Sequence, residues 1–132
     1  MLKFLRFSIG GFFDGYNEVR LQIYKHTAKY EILFMNHSRM QEYHLYEKKR
    51  LPVKNPDRLS EWETLSVNSW ADEYFEPVCD GTQWELTYRE EGKKTRHISG
   101  SNGYPPQWNQ FIKWLDALMP EMQFTDNIEE GE

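Results

Sequence analysis

Glu18-Val19-Arg20-Leu21-Gln22-Ile23-Tyr24, a short break, and then Lys29-Tyr30-Glu31-Ile32-Leu33-Phe34 is the stretch that decides the fold. Val19, Leu21 and Ile23 alternate with Arg20, Gln22 and Tyr24, and Tyr30, Ile32 and Phe34 repeat the period. A strand turns successive side chains to opposite faces, so period two marks a strand with one buried face. Two such runs separated by a brief turn read as an antiparallel pair.

Upstream, Leu5, Phe7 and Ile9 give residues 3–9 the same period. Gly10-Gly11-Phe12-Phe13-Asp14-Gly15-Tyr16 between them is turn chemistry carrying aromatics. Downstream, residues 36–54 alternate poorly. Tyr43, Leu45 and Leu51 suggest an edge strand interrupted by Glu47-Lys48-Lys49-Arg50. Asn55-Pro56-Asp57 has the form of a helix start, with a capping Asn, Pro at the first position and an early acid. Leu59, Trp62 and Leu65 continue one face of that helix, and a separate turn then carries Trp70 and Tyr74. Trp84, Leu86 and Tyr88 mark another strand, and Glu90-Glu91-Gly92-Lys93 reads as a solvated hairpin turn returning through residues 94–99.

The cleanest helical stripe comes last. Trp108, Phe111, Ile112, Leu115, Leu118 and Met119 follow helical spacing, with Pro106 expected to open the helix and Pro120 to end it. Strands, helix, hairpin, helix is an α+β order: an antiparallel sheet of five to six strands with two helices packed on one face. A doubly wound nucleotide-binding fold needs alternating strands and helices, and that alternation is missing.

Length, composition and charge set the remaining bounds. The 132 residues suit one domain, expected over residues 1–120. Residues 121–132 read as an acidic, frayed tail with little to bury. The 21 aromatics coexist with a mean hydropathy of −0.84. Trp62, Trp84 and Trp108 fall on apolar faces, while Trp70 and Trp114 fall at pattern margins. The single Cys, Cys79, permits no internal disulfide and reads as a reduced, buried thiol. No apolar run reaches the ~18–20 residues of a membrane span, and Arg6 interrupts the opening segment, so a cytoplasmic chain starting at Met1 is expected.

Net charge is −5, a balance that argues against a general nucleic-acid binder. It is unevenly spread: residues 1–66 hold 11 basic and 8 acidic side chains, residues 67–132 hold 5 and 13. An acidic half can steer a basic partner.

Chemistry-bearing motifs are lacking. His26, His37, His44 and His97 show no metal-ligand spacing, and no metal or cofactor site is expected. Cys79 has no local Cys-His signature, and Ser60, Ser69 and Ser99 sit in no nucleophile-elbow context. No catalytic residue is therefore assigned, which points away from an enzyme. The glycine loop at residues 10–16 leads into a strand rather than a helix, so it makes a turn and not a phosphate cradle. The basic segment Lys48, Lys49, Arg50, Lys54 and Arg58 reads as a solvated edge. What remains is a set of loop aromatics. Phe12, Phe13, Tyr16, Asn102, Tyr104 and Trp114 are the candidate ligand- or partner-binding residues.

Trp70-x-x-x-Tyr74, Asp80-Gly81-x-x-Trp84-x-Leu86 and Gly100-x-Asn102-x-Tyr104-Pro105 before an amphipathic helix form an unusual combination. It is similar to a group of small uncharacterised bacterial α+β proteins, over residues 55–119. The resemblance implies the α+β fold and no particular reaction or ligand. Some of that group resemble immunity or accessory factors beside toxin loci. The functional expectation is a non-enzymatic domain that binds another protein, one of basic charge, as a monomer or homodimer. The alternative is a small-ligand or carbohydrate binder using the loop aromatics.

Overall fold

A computed structural model of the chain describes residues 1–11, 15–25, 27–37, 43–77, 81–122 and 124, with side chains left aside at 34–37 and 43–48. Among these residues seven strands make one sheet: β1 (Leu2–Gly11), β2 (Gly15–Ile23), β3 (Ala28–His37), β4 (Tyr43–Pro52), β5 (Glu73–Phe75), β6 (Thr82–Glu90) and β7 (Arg96–Ser101). Their order is β4-β3-β2-β1-β6-β7-β5. Every neighbouring pair is antiparallel except β5 and β7, which run parallel. The sheet is thus mixed and larger than the five to six strands expected. The added strand is β5, whose three residues are too short to show a period.

The hairpin reading of residues 18–34 is realised as β2 and β3, with Val19 opposite Ile32 and Leu21 opposite Tyr30. The irregular segment becomes the edge strand β4, and its register on β3 shifts between Phe34 and Met35. Leu5, Phe7, Val19, Leu21, Trp84, Leu86 and Ile98 all turn to one face and are buried.

The layer covering that face is composite rather than a simple pair of helices. One component is α1 (Trp108–Leu118). It starts two residues after Pro106, because Gln107 takes a left-handed conformation (φ 64°) and leaves Pro106 in a turn. The expected helix after Asn55 forms as a ten-residue 3₁₀ segment, Pro56–Leu65. Ser66, also left-handed (φ 55°), ends it before a second short 3₁₀ turn, Val67–Ser69.

Asn55 does not cap its own segment. Its Nδ2 donates to the Ala117 carbonyl (2.8 Å), and Lys54 N–H donates to the Leu118 carbonyl (3.2 Å). The two thereby satisfy carbonyls that the end of α1 leaves without partners.

All five Trp are buried, including Trp70 and Trp114. Phe7 sits at the centre, with ring centroids of Phe111 and Phe124 each 5.3 Å away, edge to face. Each such buried aromatic contributes about 1.5–3 kcal/mol. Packing continues past position 120. Phe124 is 1 % exposed, and its N–H donates to Asp116 Oδ1. Residues 125–132 lie outside the described part. Among the described residues no helix is long and apolar enough to cross a membrane.

Candidate functional site

The opposite face of the sheet carries the other half of each alternation, and nothing among the described helical segments covers its centre. Strand register decides which side chains stand together there. One row across β2, β1, β6, β7 and β5 is Tyr16, Gly10, Gln83, Ser101 and Phe75. The next is Glu18, Ser8, Glu85, Ser99 and Glu73. Gly10 apart, these residues line a trough of about 620 Å³. Four inter-strand steps make it about 19 Å long.

The trough has an aromatic at each end of one row and an acid at each end of the other. Tyr16 reaches over Gly10, which has no side chain, and its hydroxyl donates to Gln83 Oε1 at 3.1 Å. Phe75, at the far end, is 72 % exposed. Glu18 is buried and takes a 2.7 Å ion pair from Arg20 Nε. Glu73 and Glu85 are exposed, and two strand steps place them about 10 Å apart. Among the described residues no His, Cys, Asp and Glu group is arranged to hold a metal ion. A third row, Arg20, Arg6, Thr87 and His97, borders the acids with opposite charge. Thr87 Oγ1 and His97 Nδ1 are 2.8 Å apart in it.

The floor is held from beneath by Trp84. Its Nε1 donates to the Gly103 carbonyl (3.0 Å), and the ring lies so close to Gly100 that an added Cβ would fall 2.2 Å from Nε1. Tyr74 stacks on the same indole, with centroids 6.3 Å apart.

The residues singled out from sequence go to different places. Phe12 and Phe13 lie outside the described residues, as do His26 and Cys79. Tyr16 is in the trough. Tyr104 packs on Trp108 at 4.9 Å, on the core side. Trp114 is 3 % exposed, packs against Trp62 with tilted rings (centroids 5.6 Å apart) and donates through Nε1 to the Arg58 carbonyl (2.8 Å). Asn102, left-handed at φ 60°, accepts the Thr82 N–H through Oδ1 (2.8 Å) and so pins the start of β6. Tyr16 and Trp114 therefore occupy opposite sides of the sheet. The trough residues Ser8, Glu18, Glu73, Phe75, Glu85 and Ser101 were not singled out from sequence. For Ser8, Glu18 and Glu85 the signal was present as the polar half of a period-two run, without the register that aligns them.

The carboxyls held below their ordinary value lie on the core side. Glu90 was read as part of a solvated turn, yet it is 4 % exposed. It continues the inward set Trp84, Leu86, Tyr88. Burial pushes its pKa up. Hydrogen bonds from Asn68 Nδ2 (2.7 Å) and Trp62 Nε1 (3.3 Å), with the Lys93 charge, more than reverse this. Asn68 in turn accepts from the Tyr88 hydroxyl (2.6 Å). Arg96 donates to the carbonyls of Val67, Asn68 and Trp70 and to Asp72. This network fixes the 3₁₀ segments to the β6–β7 hairpin. Likewise Glu121 is lowered, chiefly by the hydrogen bond it accepts from Tyr30. Such bonded, low-pKa acids stabilise structure and lack the raised pKa of a general acid.

A second cavity, of about 440 Å³, lies at the opposite end of the sheet between Met1, Ile23, Tyr24, Pro56 and Leu59. No protein-family profile matches the chain, and no curated protein sequence matches it.

Proposed function

We propose that this chain is a non-enzymatic protein-binding domain that docks a basic partner on the open face of its sheet. The observation carrying the reading is the trough, a concavity whose only charged lining residues among the described ones are Glu18, Glu73 and Glu85, with exposed Phe75 at its rim. Exposed aromatics beside complementary charge supply anchoring and steering respectively. An accessory or immunity-like cytoplasmic role, of the kind that some of the similar bacterial proteins suggest, is compatible with such a surface. The test is capture of a partner by the immobilised chain at low salt. The reading expects retention by the wild type and loss with Glu73→Lys/Glu85→Lys. Retention that survives this double reversal, or that is abolished instead by Tyr24→Ser at the second cavity, contradicts it.

A further inference from the structure

Building on that docking reading, we infer that the partner docks by adding an extended basic segment as an antiparallel strand along the outer edge of β5. The ladder inside the sheet fixes which backbone groups that edge presents. Ser99 N–H donates to the Asp72 carbonyl (3.0 Å), and Glu76 N–H donates to the Ser101 carbonyl (2.9 Å). Successive residues of a strand turn their N–H and C=O groups to opposite sides. Asp72, Tyr74 and Glu76 therefore bond inward to β7, while Glu73 and Phe75 turn both backbone groups outward. β5 ends the sheet order, and among the described residues no strand pairs with its outer side. Glu73 and Phe75 are exposed as well. Their donors and acceptors form a short template for a strand about 4.8 Å further out.

Charge and side-chain order define the occupant. Asp72, Glu73 and Glu76 are all exposed along this edge. The other edge, β4, contains Lys48-Lys49-Arg50 and repels a cationic segment. A second copy of the chain fits the β5 edge badly. Antiparallel pairing about Tyr74 would set Asp72 of one copy against Glu76 of the other, and like charges directly opposite destabilise a pair. A basic partner strand instead sets an apolar residue opposite Phe75 and a cation opposite Glu73. Both side chains fall on the trough face and extend its two rows by one position. The residue between them falls beside Tyr74, on the core side. Read from N- to C-terminus, the antiparallel partner motif is apolar-x-Lys or apolar-x-Arg. In such an added strand the backbone bonds give affinity and the alternate side chains give specificity.

The experiment adds the peptide Ser-Lys-Val-Thr-Lys-Lys-Ser to the full isotope-labelled chain at low salt and follows binding by NMR. Antiparallel addition uses the N–H groups of Val and of the Lys after Thr, which stand opposite Phe75 and Glu73. N-methylation of these two should weaken binding about tenfold or more, the loss of two backbone hydrogen bonds. N-methylation of Thr and the last Lys, whose N–H groups point away, should change it less than about twofold. Hydrogen exchange of the Glu73 and Phe75 amides should slow about tenfold in the complex. Phe75→Pro removes an outward N–H and no inward bond, so it should weaken binding about fivefold beyond Phe75→Ala. Circular dichroism of both variants confirms that they remain folded. Equal effects of the two methylation patterns, or unslowed exchange at Glu73 and Phe75, overturn strand addition while leaving docking of a basic partner intact. Loss confined to the second pattern overturns the antiparallel direction, because a parallel strand bonds through that set. Failure of the unmodified peptide to bind overturns the docking reading as well.

Discussion

Asn68 donates a 2.7 Å hydrogen bond through Nδ2 to the buried carboxylate of Glu90, while its Oδ1 accepts from the Tyr88 hydroxyl at 2.6 Å. One amide thus ties the 3₁₀ turn to two residues of β6. The covering layer holds to the sheet through this joint as well as through apolar packing. Glu90→Ala would leave the Trp62 and Asn68 donors without their acceptor. It should cost about 2–4 kcal/mol, seen as a lower midpoint in thermal or urea unfolding. An unchanged midpoint would show the network to be dispensable.

The same group sets an acid-side pH dependence. The folded pKa of Glu90 lies below its ordinary value of 4.5, so the unfolded chain takes up the proton first. Its contribution is present in full above that ordinary value and is lost as pH falls through the folded pKa. Unfolding midpoints recorded from pH 6 down to about 2 should decline less steeply in Glu90→Gln than in the wild type.

Tyr30 acts on the alkaline side. Burial first, and then the bond to Glu121, push its pKa well above 10. Stability from this shift is complete below the unfolded value near 10 and fades as pH rises toward the folded one. Tyr30→Phe should flatten the alkaline decline and let the Glu121 carboxyl return toward 4.5, readable by NMR titration.

Gly100→Ala places a methyl 2.2 Å from Trp84 Nε1. Either the indole leaves the Gly103 carbonyl or β7 shifts. The expected cost is about 1–3 kcal/mol, with a changed Trp emission spectrum. A variant with wild-type stability and spectrum would refute the close approach.

Trp114→Phe separates structure from binding. It removes the bond to the Arg58 carbonyl and trims the contact with Trp62. Stability should fall by about 1–3 kcal/mol while affinity for a basic peptide stays unchanged. Loss of affinity in a fully folded variant would return Trp114 to the binding surface.

The fold was legible where one local pattern had one meaning. Val19, Leu21 and Ile23 against Arg20 and Gln22 can hardly be anything but a strand, and the Trp108–Leu118 stripe can hardly be anything but a helix. Reading failed where partners decide. Asn55-Pro56 carries every local helix-start signal, yet Asn55 bonds to the far end of α1 and a 3₁₀ segment follows. Trp114 falls off the apolar stripe and is buried all the same, because the 3₁₀ segment packs on that flank of α1. The candidate site was the least accessible. Ser8 and Glu85, or Ser101 and Phe75, become neighbours only through pairings between β1, β6, β7 and β5 that no local pattern encodes.

The central claim, that a basic partner docks on the open sheet face, is tested most directly by mapping amide chemical shifts while a lysine-rich peptide is added to the isotope-labelled chain. The account predicts shifts concentrated at Ser8, Tyr16, Gln83, Glu85, Ser99 and Phe75, abolished by Glu73→Lys/Glu85→Lys. Shifts centred instead on Ile23, Tyr24 and Leu59, or absent throughout the titration, would contradict it.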